Sequence, residues 1–117
     1  FCYSSHSASA TAQLDTDPTL VDLVLDDLDS APVSAKLRAL LRIAAVVRDD
    51  GRMVTTELVA AARAEGATDV EIHDTVLLAA AFSMYNRYVD GLGTLAPEGS
   101  HIYAEAAKRI IEFGYTR

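Results

Sequence analysis

The chain has 117 residues, half of them hydrophobic, and a formal net charge of −7 at pH 7. This acidic balance excludes the basic stripe that neutralises phosphates, so nucleic acid is not an expected partner. No apolar run approaches the roughly 20 residues that cross a bilayer, so no membrane span is expected. The length fits one domain with a core of its own, and we expect residues 1–117 to form a single helical domain.

Composition favours an all-α fold, because Ala, Leu and Val dominate while aromatic residues make up 7% and Trp is absent. The single cysteine has no partner for an internal disulfide, which is compatible with a reducing cytoplasm, and we expect a cytoplasmic location. The chain opens on Phe1 rather than on Met. We therefore expect the N-terminal part of the natural chain to be missing.

Helix start and stop signals predict about six helices along the chain. The first runs from Phe1 to about Leu14, and Asp17 caps a second that has Pro18 at its first position. Gly51, in a left-handed conformation, is expected to end the third. In chain order, the third to sixth helices are predicted at about 33–48, 55–66, 68–91 and 100–113.

The fifth helix has the clearest start, a capping box formed by Thr68 and Glu71. Its run from Thr75 to Met84 predicts a buried helix. The third helix is predicted to bury Leu37, Leu40, Leu41, Ile43, Ala44 and Val47. Apolar faces on five helices exceed what a monomer of this size covers, which favours a homo-oligomer.

Cys2 and His6 are the candidate catalytic residues. Four positions apart in an α-helix, the two side chains lie on one face about 5–6 Å apart. A thiolate is the nucleophilic form of cysteine, and a neighbouring imidazole can take the thiol proton. The alternative is that Cys2 serves as an ordinary small apolar residue. A metal is not expected, because one Cys and one His do not complete a tetrahedral zinc shell.

A helix-turn-helix is a further alternative for the segment around Gly66. It is disfavoured because Asp69, Glu71 and Asp74, early in the second helix, would face phosphates with the wrong sign. His73 and His101 stand beside acidic residues on predicted helix surfaces, and we expect both to face solvent.

Two segments resemble a known family. The sequence FCYSSHS at 1–7 is similar to the second half of a CxxCxxxH motif, with Cys2 as its second cysteine and His6 as its histidine. The runs TDVEIH at 68–73 and AFSMYNRYVDGLGT at 81–94 are similar to the stretch that ends in an Asn-Arg pair in the same family. The chain thus resembles the carboxymuconolactone decarboxylase-like superfamily, and within it the alkylhydroperoxidase D-like, peroxidase-related branch.

The resemblance implies an orthogonal or antiparallel helical bundle that forms homo-oligomers and reduces hydroperoxides. The first cysteine of the motif would lie upstream of Phe1. Electrons would come from a dithiol reductant, either a dihydrolipoyl group or a thioredoxin-like protein, and no cofactor is required. Cys2 would be the reactive thiol and His6 its proton acceptor, while Phe82, Asn86 and Arg87 are candidates for the substrate pocket.

Two other functions remain open. One is a carboxymuconolactone decarboxylase-like lyase, in which a histidine is the acid or base and the cysteine is idle. The other is a non-catalytic helical oligomer or binding protein that has lost half of the thiol pair. For Arg87, a structural ion pair with Asp90 is the favoured alternative to substrate contact.

Overall fold

The structure, a computed structural model, describes residues 1–14 and 19–114, and within these ranges it is helical with no strand. The helices are α1 (Cys2–Leu14), α2 (Leu20–Asp26), α3 (Ala35–Asp50), α4 (Thr56–Ala64), α5 (Asp69–Gly91) and α6 (Ser100–Phe113), with a 3₁₀ turn at Gly51–Met53. The predicted all-α fold is confirmed. The predicted cap at Asp17 and Pro18 lies outside the described residues.

The chain divides into two compact units, Pro32–Arg87 and a unit made of Phe1–Ala31 with Tyr88–Arg117. In the latter unit α1 packs along α6, and α2 packs against α1. The ring of Phe1 meets that of Tyr103 edge-on at 6.3 Å between centroids. The Tyr103 hydroxyl donates a hydrogen bond to the Pro97 carbonyl at 2.9 Å. The polar atom of this buried tyrosine therefore has a hydrogen-bond partner.

The unit Pro32–Arg87 has its core where α3 meets α4 and the 3₁₀ turn. Ile43 and Ala62 have no exposed surface, and partly buried apolar side chains surround them. The buried members of the core are Ala39, Leu40, Ile43, Ala62 and Ala67, and the partly buried ones are Val47, Val54, Leu58 and Ile72. Three of the five buried members are alanines, whose small side chains allow helix backbones to approach closely.

The predicted capping box at the start of α5 is confirmed. The Thr68 amide donates to Glu71 Oε2 at 2.7 Å, and the Glu71 amide donates to Thr68 Oγ1 at 3.2 Å. Lys36 Nζ lies 2.6 Å from Glu71 Oε1 and ties α3 to this helix start. The Lys36 ammonium and the Thr68 donors lower the pKa of Glu71 to about 2, because they stabilise its ionised form.

The end of α3 differs from the prediction. The helix ends at Asp50, but Gly51 has φ −60° and ψ −20°, a right-handed conformation. The Asp50 side chain accepts the Arg52 amide at 3.0 Å, so an aspartate at the helix end starts a 3₁₀ turn. Glycines with positive φ follow other helices, such as α4, where Gly66 has φ 85° and its amide donates to the Arg63 carbonyl at 2.9 Å.

Two predictions of burial are wrong for the single chain. Leu37 on α3 is 44% exposed, and no described residue of α5 is buried. The run Thr75 to Met84, predicted as a buried helix, carries Leu77 and Met84 with 57% of each residue exposed. The reason is that α5 contributes to the core of its unit through Ile72, near its beginning, and its later turns extend past that core.

Candidate functional site

Cys2 and His6 lie together on the first turns of α1. Cys2 is the first residue of the helix, and the Ser5 amide donates to the Phe1 carbonyl at 3.0 Å, which closes the first turn. His6 Nδ1 lies 3.6 Å from Cys2 Sγ, within hydrogen-bond reach for sulfur. The structure therefore brings together the two candidate catalytic residues, as their spacing predicted.

The same nitrogen of His6 also lies 2.9 Å from the Cys2 backbone carbonyl. A protonated Nδ1 donates to that carbonyl, whereas an unprotonated Nδ1 is free to accept the proton of the thiol. Proton transfer from sulfur therefore starts from the tautomer with its hydrogen on Nε2. Once Nδ1 has gained the proton, the imidazolium has both the carbonyl oxygen and the thiolate as acceptors, and the Cys2 carbonyl then helps to hold the charged ring in place.

The two groups differ in their access to water. Cys2 is 9% exposed, while His6 is exposed, so the sulfur lies at the edge of the protein interior with the ring outside it. This arrangement suits a thiol that ionises during its reaction and then exchanges its proton with water through the ring.

Phe82, Asn86 and Arg87, the candidate pocket residues, lie on α5 in the unit Pro32–Arg87, whereas Cys2 and His6 belong to the other unit. Asn86 Nδ2 donates to the Phe82 carbonyl at 2.9 Å. The Arg87 guanidinium donates to the Ser83 carbonyl at 3.0 Å. The expected ion pair between Arg87 and Asp90 is not found among the described residues. Both polar side chains are exposed and donate hydrogen bonds to carbonyls of their own helix.

His73 and His101 are exposed, as predicted. His73 Nδ1 lies 3.5 Å from Asp74 Oδ1, so these two groups attract when the imidazole is protonated. The ring of His101 lies against Gly99, where an added Cβ would come within 2.8 Å of it. Gly99 also has φ 108°, a backbone conformation that L side chains rarely adopt, and this conformation favours glycine at the position.

A cavity of about 680 Å³ lies among α1, α2 and α6, within the unit that holds Cys2 and His6. It was missed by the sequence analysis. Tyr3 and Ser7, one turn apart on α1, line it with Asp22 of α2 and with Tyr103 and Lys108 of α6. The only signal for it was the repeat of Tyr3, Ser7 and Thr11 along one face of the first helix.

The Tyr3 hydroxyl donates to Asp22 Oδ1 at 2.6 Å across this cavity, and this bond raises the pKa of Tyr3 because it stabilises the neutral phenol. Neither Cys2 nor His6 is among the lining residues. At about 100° of rotation per residue, the Cys2–His6 pair lies on the opposite face of α1 from the lining residues. The cavity and the thiol pair are therefore separate features of one helix.

Within residues 1–14 and 19–114, no group of three or more His, Cys, Asp or Glu side chains is placed to hold a metal ion. Among the helices of these same ranges, none combines the length and the apolar run that a bilayer crossing requires.

The candidate site thus consists of one described pair, Cys2 and His6, with its sulfur-to-nitrogen distance of 3.6 Å. Comparison of the chain with protein-family models, with curated proteins and with solved structures returned no match.

Proposed function

We propose that this protein is a thiol-dependent peroxidase, an oxidoreductase that reduces hydroperoxides in the manner of the alkylhydroperoxidase D-like branch that its first residues resemble. Cys2 is the nucleophile and His6 the proton acceptor. The observation that supports this function is the 3.6 Å distance between Cys2 Sγ and His6 Nδ1 at the start of a helix. No bound cofactor is needed, because the thiol itself carries the two electrons that are transferred.

The first step oxidises Cys2. His6 Nδ1 accepts the thiol proton as Sγ attacks the terminal oxygen of the hydroperoxide. A sulfur–oxygen bond forms and the oxygen–oxygen bond breaks, so that the peroxide is reduced to an alcohol and Cys2 is oxidised to a sulfenic acid. The imidazolium returns its proton to the departing alkoxide, which leaves His6 neutral for the next cycle.

The second step returns Cys2 to its thiol. In the resembled motif a resolving cysteine stands three residues before the reactive one; its thiol would displace water from the sulfenic acid and form a disulfide, which an external dithiol then reduces. The same dithiol can act on Cys2 directly. Its first thiol displaces water and forms a mixed disulfide, and its second thiol releases Cys2 while the reductant becomes a cyclic disulfide. A dihydrolipoyl group or a thioredoxin-like protein supplies this chemistry, and a cytoplasmic location fits both.

The test is consumption of an organic hydroperoxide with dihydrolipoamide or reduced thioredoxin as electron donor. Cys2→Ser should abolish turnover, and His6→Ala should lower kcat/KM by about 100-fold, the range of general-base catalysis. His73→Ala is the matched control, because His73 is exposed and on another helix, and it should leave the rate unchanged.

Trapping with dimedone, which labels sulfenic acids, should give an adduct on Cys2 after one equivalent of peroxide and none in Cys2→Ser. Full turnover in Cys2→Ser would remove the proposal. If a lactone acid were instead decarboxylated by Cys2→Ser but not by His6→Ala, the lyase alternative would take its place.

A further inference from the structure

The cavity among α1, α2 and α6 has the size and the lining of a small-molecule site. Its volume of about 680 Å³ lies within the range of about 300–1,000 Å³ that is usual for such sites. Much of its wall is made of small apolar side chains, among them Ala8, Val21, Pro97 and Ala104. A ligand that fills the cavity would therefore bury a hydrocarbon body against these side chains.

The polar side of the cavity is a carboxylate held by a tyrosine. Asp22 Oδ1 accepts the Tyr3 hydroxyl at 2.6 Å, and Asp22 forms no ion pair within residues 1–14 and 19–114. Its negative charge is therefore held in place without being neutralised by a cation of the chain. The Tyr103 hydroxyl is also engaged, as a donor to the Pro97 carbonyl, so both tyrosines that line the cavity offer a ligand mainly their rings. The faces of aromatic rings attract cations.

The charge of the surrounding unit also favours a cation in the cavity. The unit made of Phe1–Ala31 with Tyr88–Arg117 contains ten acidic and three basic residues, so it carries the whole formal charge of −7. The pKa of Tyr3 is raised chiefly by its hydrogen bond to Asp22 and further by the negative charge of Asp26, one turn along α2. Two carboxylates therefore act at this side of α1, and together they attract cations and repel anions.

A positive charge also lines the cavity, but it is less constrained than Asp22. Lys108 is the one lysine or arginine among the described residues of the lining. Its side chain is exposed and has no hydrogen-bond or ion-pair partner in the part of the chain that the structure describes, so it can extend into water. Glu105 and Glu112, three residues before it and four after it, lie on the same side of α6 and weaken its positive field. The anchored carboxylate of Asp22 therefore determines which sign of ligand charge the cavity prefers.

We propose that this cavity binds a small organic cation, an amine or quaternary ammonium with a hydrocarbon body. The ammonium group lies against the Asp22 carboxylate and the Tyr3 ring, and the hydrocarbon body packs against the apolar side chains of the wall. Cys2 and His6 lie on the opposite face of α1, so binding does not depend on the thiol chemistry. Cys2→Ser, which should lack peroxidase activity, should bind the cation as well as the unchanged chain does.

Titration with hexyltrimethylammonium, followed by calorimetry and by the backbone amide NMR signals of the chain, tests the proposal. His101 also lines the cavity, so the test is run at pH 8, above the range in which imidazoles ordinarily gain a proton. The amide signals of lining residues on α1, α2 and α6 should shift with one dissociation constant, which should rise with added NaCl because salt screens the charges. The compounds 1-hexanol and hexanoate have the same carbon chain without a positive charge, and each should bind more weakly by about fivefold or more.

Variants of the two contacting residues locate the cation. Asp22→Asn should raise the dissociation constant about fivefold, because the amide oxygen still accepts the Tyr3 hydroxyl while the charge is lost. Tyr3→Leu should raise it about threefold, whereas Tyr3→Phe keeps the ring and should not. Asp90→Asn, at an exposed residue of the same unit outside the lining, makes the same change of net charge and is the matched control, which should leave the dissociation constant unchanged.

Three results would overturn the proposal. The first is the absence of a saturable shift in the lining amides. The second is equal affinity in the unchanged chain and in an Asp22→Asn variant that keeps its helical circular-dichroism signal. The third is tighter binding of hexanoate than of hexyltrimethylammonium, which would make Lys108 rather than Asp22 the anchor of the ligand.

Discussion

His6 Nδ1 has two competing partners, the Cys2 carbonyl at 2.9 Å and the Cys2 sulfur at 3.6 Å. The shorter contact holds the ring in position and the longer one is where chemistry would start. In the proposed mechanism this one nitrogen has two roles: with a hydrogen it donates to the Cys2 carbonyl and orients the imidazole, and without one it would accept the thiol proton. Which role it performs depends on the tautomer, and so on whether Nε2 carries a hydrogen.

We expect Cys2 to react selectively with small reagents. Because the residue is 9% exposed, a bulky disulfide reagent meets a steric barrier that iodoacetamide largely avoids. His6→Ala should slow alkylation by iodoacetamide about tenfold at pH 7, because the thiol then loses its internal proton acceptor. Mass spectrometry of the peptide containing Cys2 gives both rates. An equal rate in His6→Ala and the unchanged chain would contradict the role of His6.

Ile43 is the residue on which the core of Pro32–Arg87 depends most. It has no exposed surface and belongs to a core cluster of alanines with larger apolar side chains such as Leu40 and Leu58. We expect Ile43→Ala to lower the free energy of unfolding by about 2–5 kcal/mol, because it leaves a cavity in the core that the surrounding side chains only partly fill. Urea denaturation measures this loss. Leu37→Ala, on the same helix but 44% exposed, is the control and should cost about 1 kcal/mol or less.

At the scale of the element, α5 shows how far local sequence rules reach. Thr68 and Glu71 are three residues apart, and the hydrogen bonds of the capping box join only these two residues, so the start of this helix was predictable. The ion pair of Glu71 with Lys36 joins residues 35 positions apart in the chain, and it was not predicted. The apolar run from Thr75 to Met84 likewise predicted a buried helix, but Leu77 and Met84 are exposed, because an apolar pattern does not indicate which distant segment covers it.

The cap on α5 should make stability depend on pH in the acid range. The pKa of Glu71 is lowered from 4.5 to about 2, so its contribution is present above pH 4.5 and is lost as the pH falls towards 2. Thermal melting at pH 7, 4.5 and 2 should therefore show a smaller acid loss in Glu71→Gln than in the unchanged chain. Glu65→Gln, an exposed carboxylate after α4, is the control. Equal acid losses in all three proteins would contradict the assignment.

Removing the hydroxyl of the same cap tests it at neutral pH. Thr68→Ala should lower the free energy of unfolding by about 1 kcal/mol, the usual cost of losing an N-cap side chain. Thr68→Ser keeps the acceptor for the Glu71 amide and should retain most of the stability. A loss in Thr68→Ser as large as that in Thr68→Ala would mean that the methyl group, rather than the hydrogen bond, matters.

At the scale of the whole molecule, net charge determines how strongly copies of the chain repel each other. With a net charge of −7 at pH 7 and an isoelectric point near 4.7, repulsion between chains vanishes as the pH approaches 4.7. We expect turbidity of a concentrated sample to be greatest near that pH. Replacing Asp26 and Asp29, exposed acidic residues at the end of α2 and just after it, by Asn should move the maximum upwards. Light scattering against pH measures both, and an unmoved maximum would contradict a simple charge effect.

The all-α class, most helix boundaries, the capping box on α5 and the proximity of Cys2 to His6 were determined by the sequence alone. All of these depend on residues at most four positions apart, whose interactions are set once a helix forms. Even at this range one prediction was wrong: Gly51 does not form a left-handed cap, because the Asp50 side chain starts a 3₁₀ turn there.

Only the tertiary structure decided that Leu77 and Met84 of α5 are exposed, that Lys36 reaches Glu71, and that a cavity lies on the face of α1 opposite Cys2. Burial and cavities depend on which distant segments come together. A periodic pattern shows that a helix has an apolar face, but whether that face meets another helix of the same chain is determined by how the helices pack.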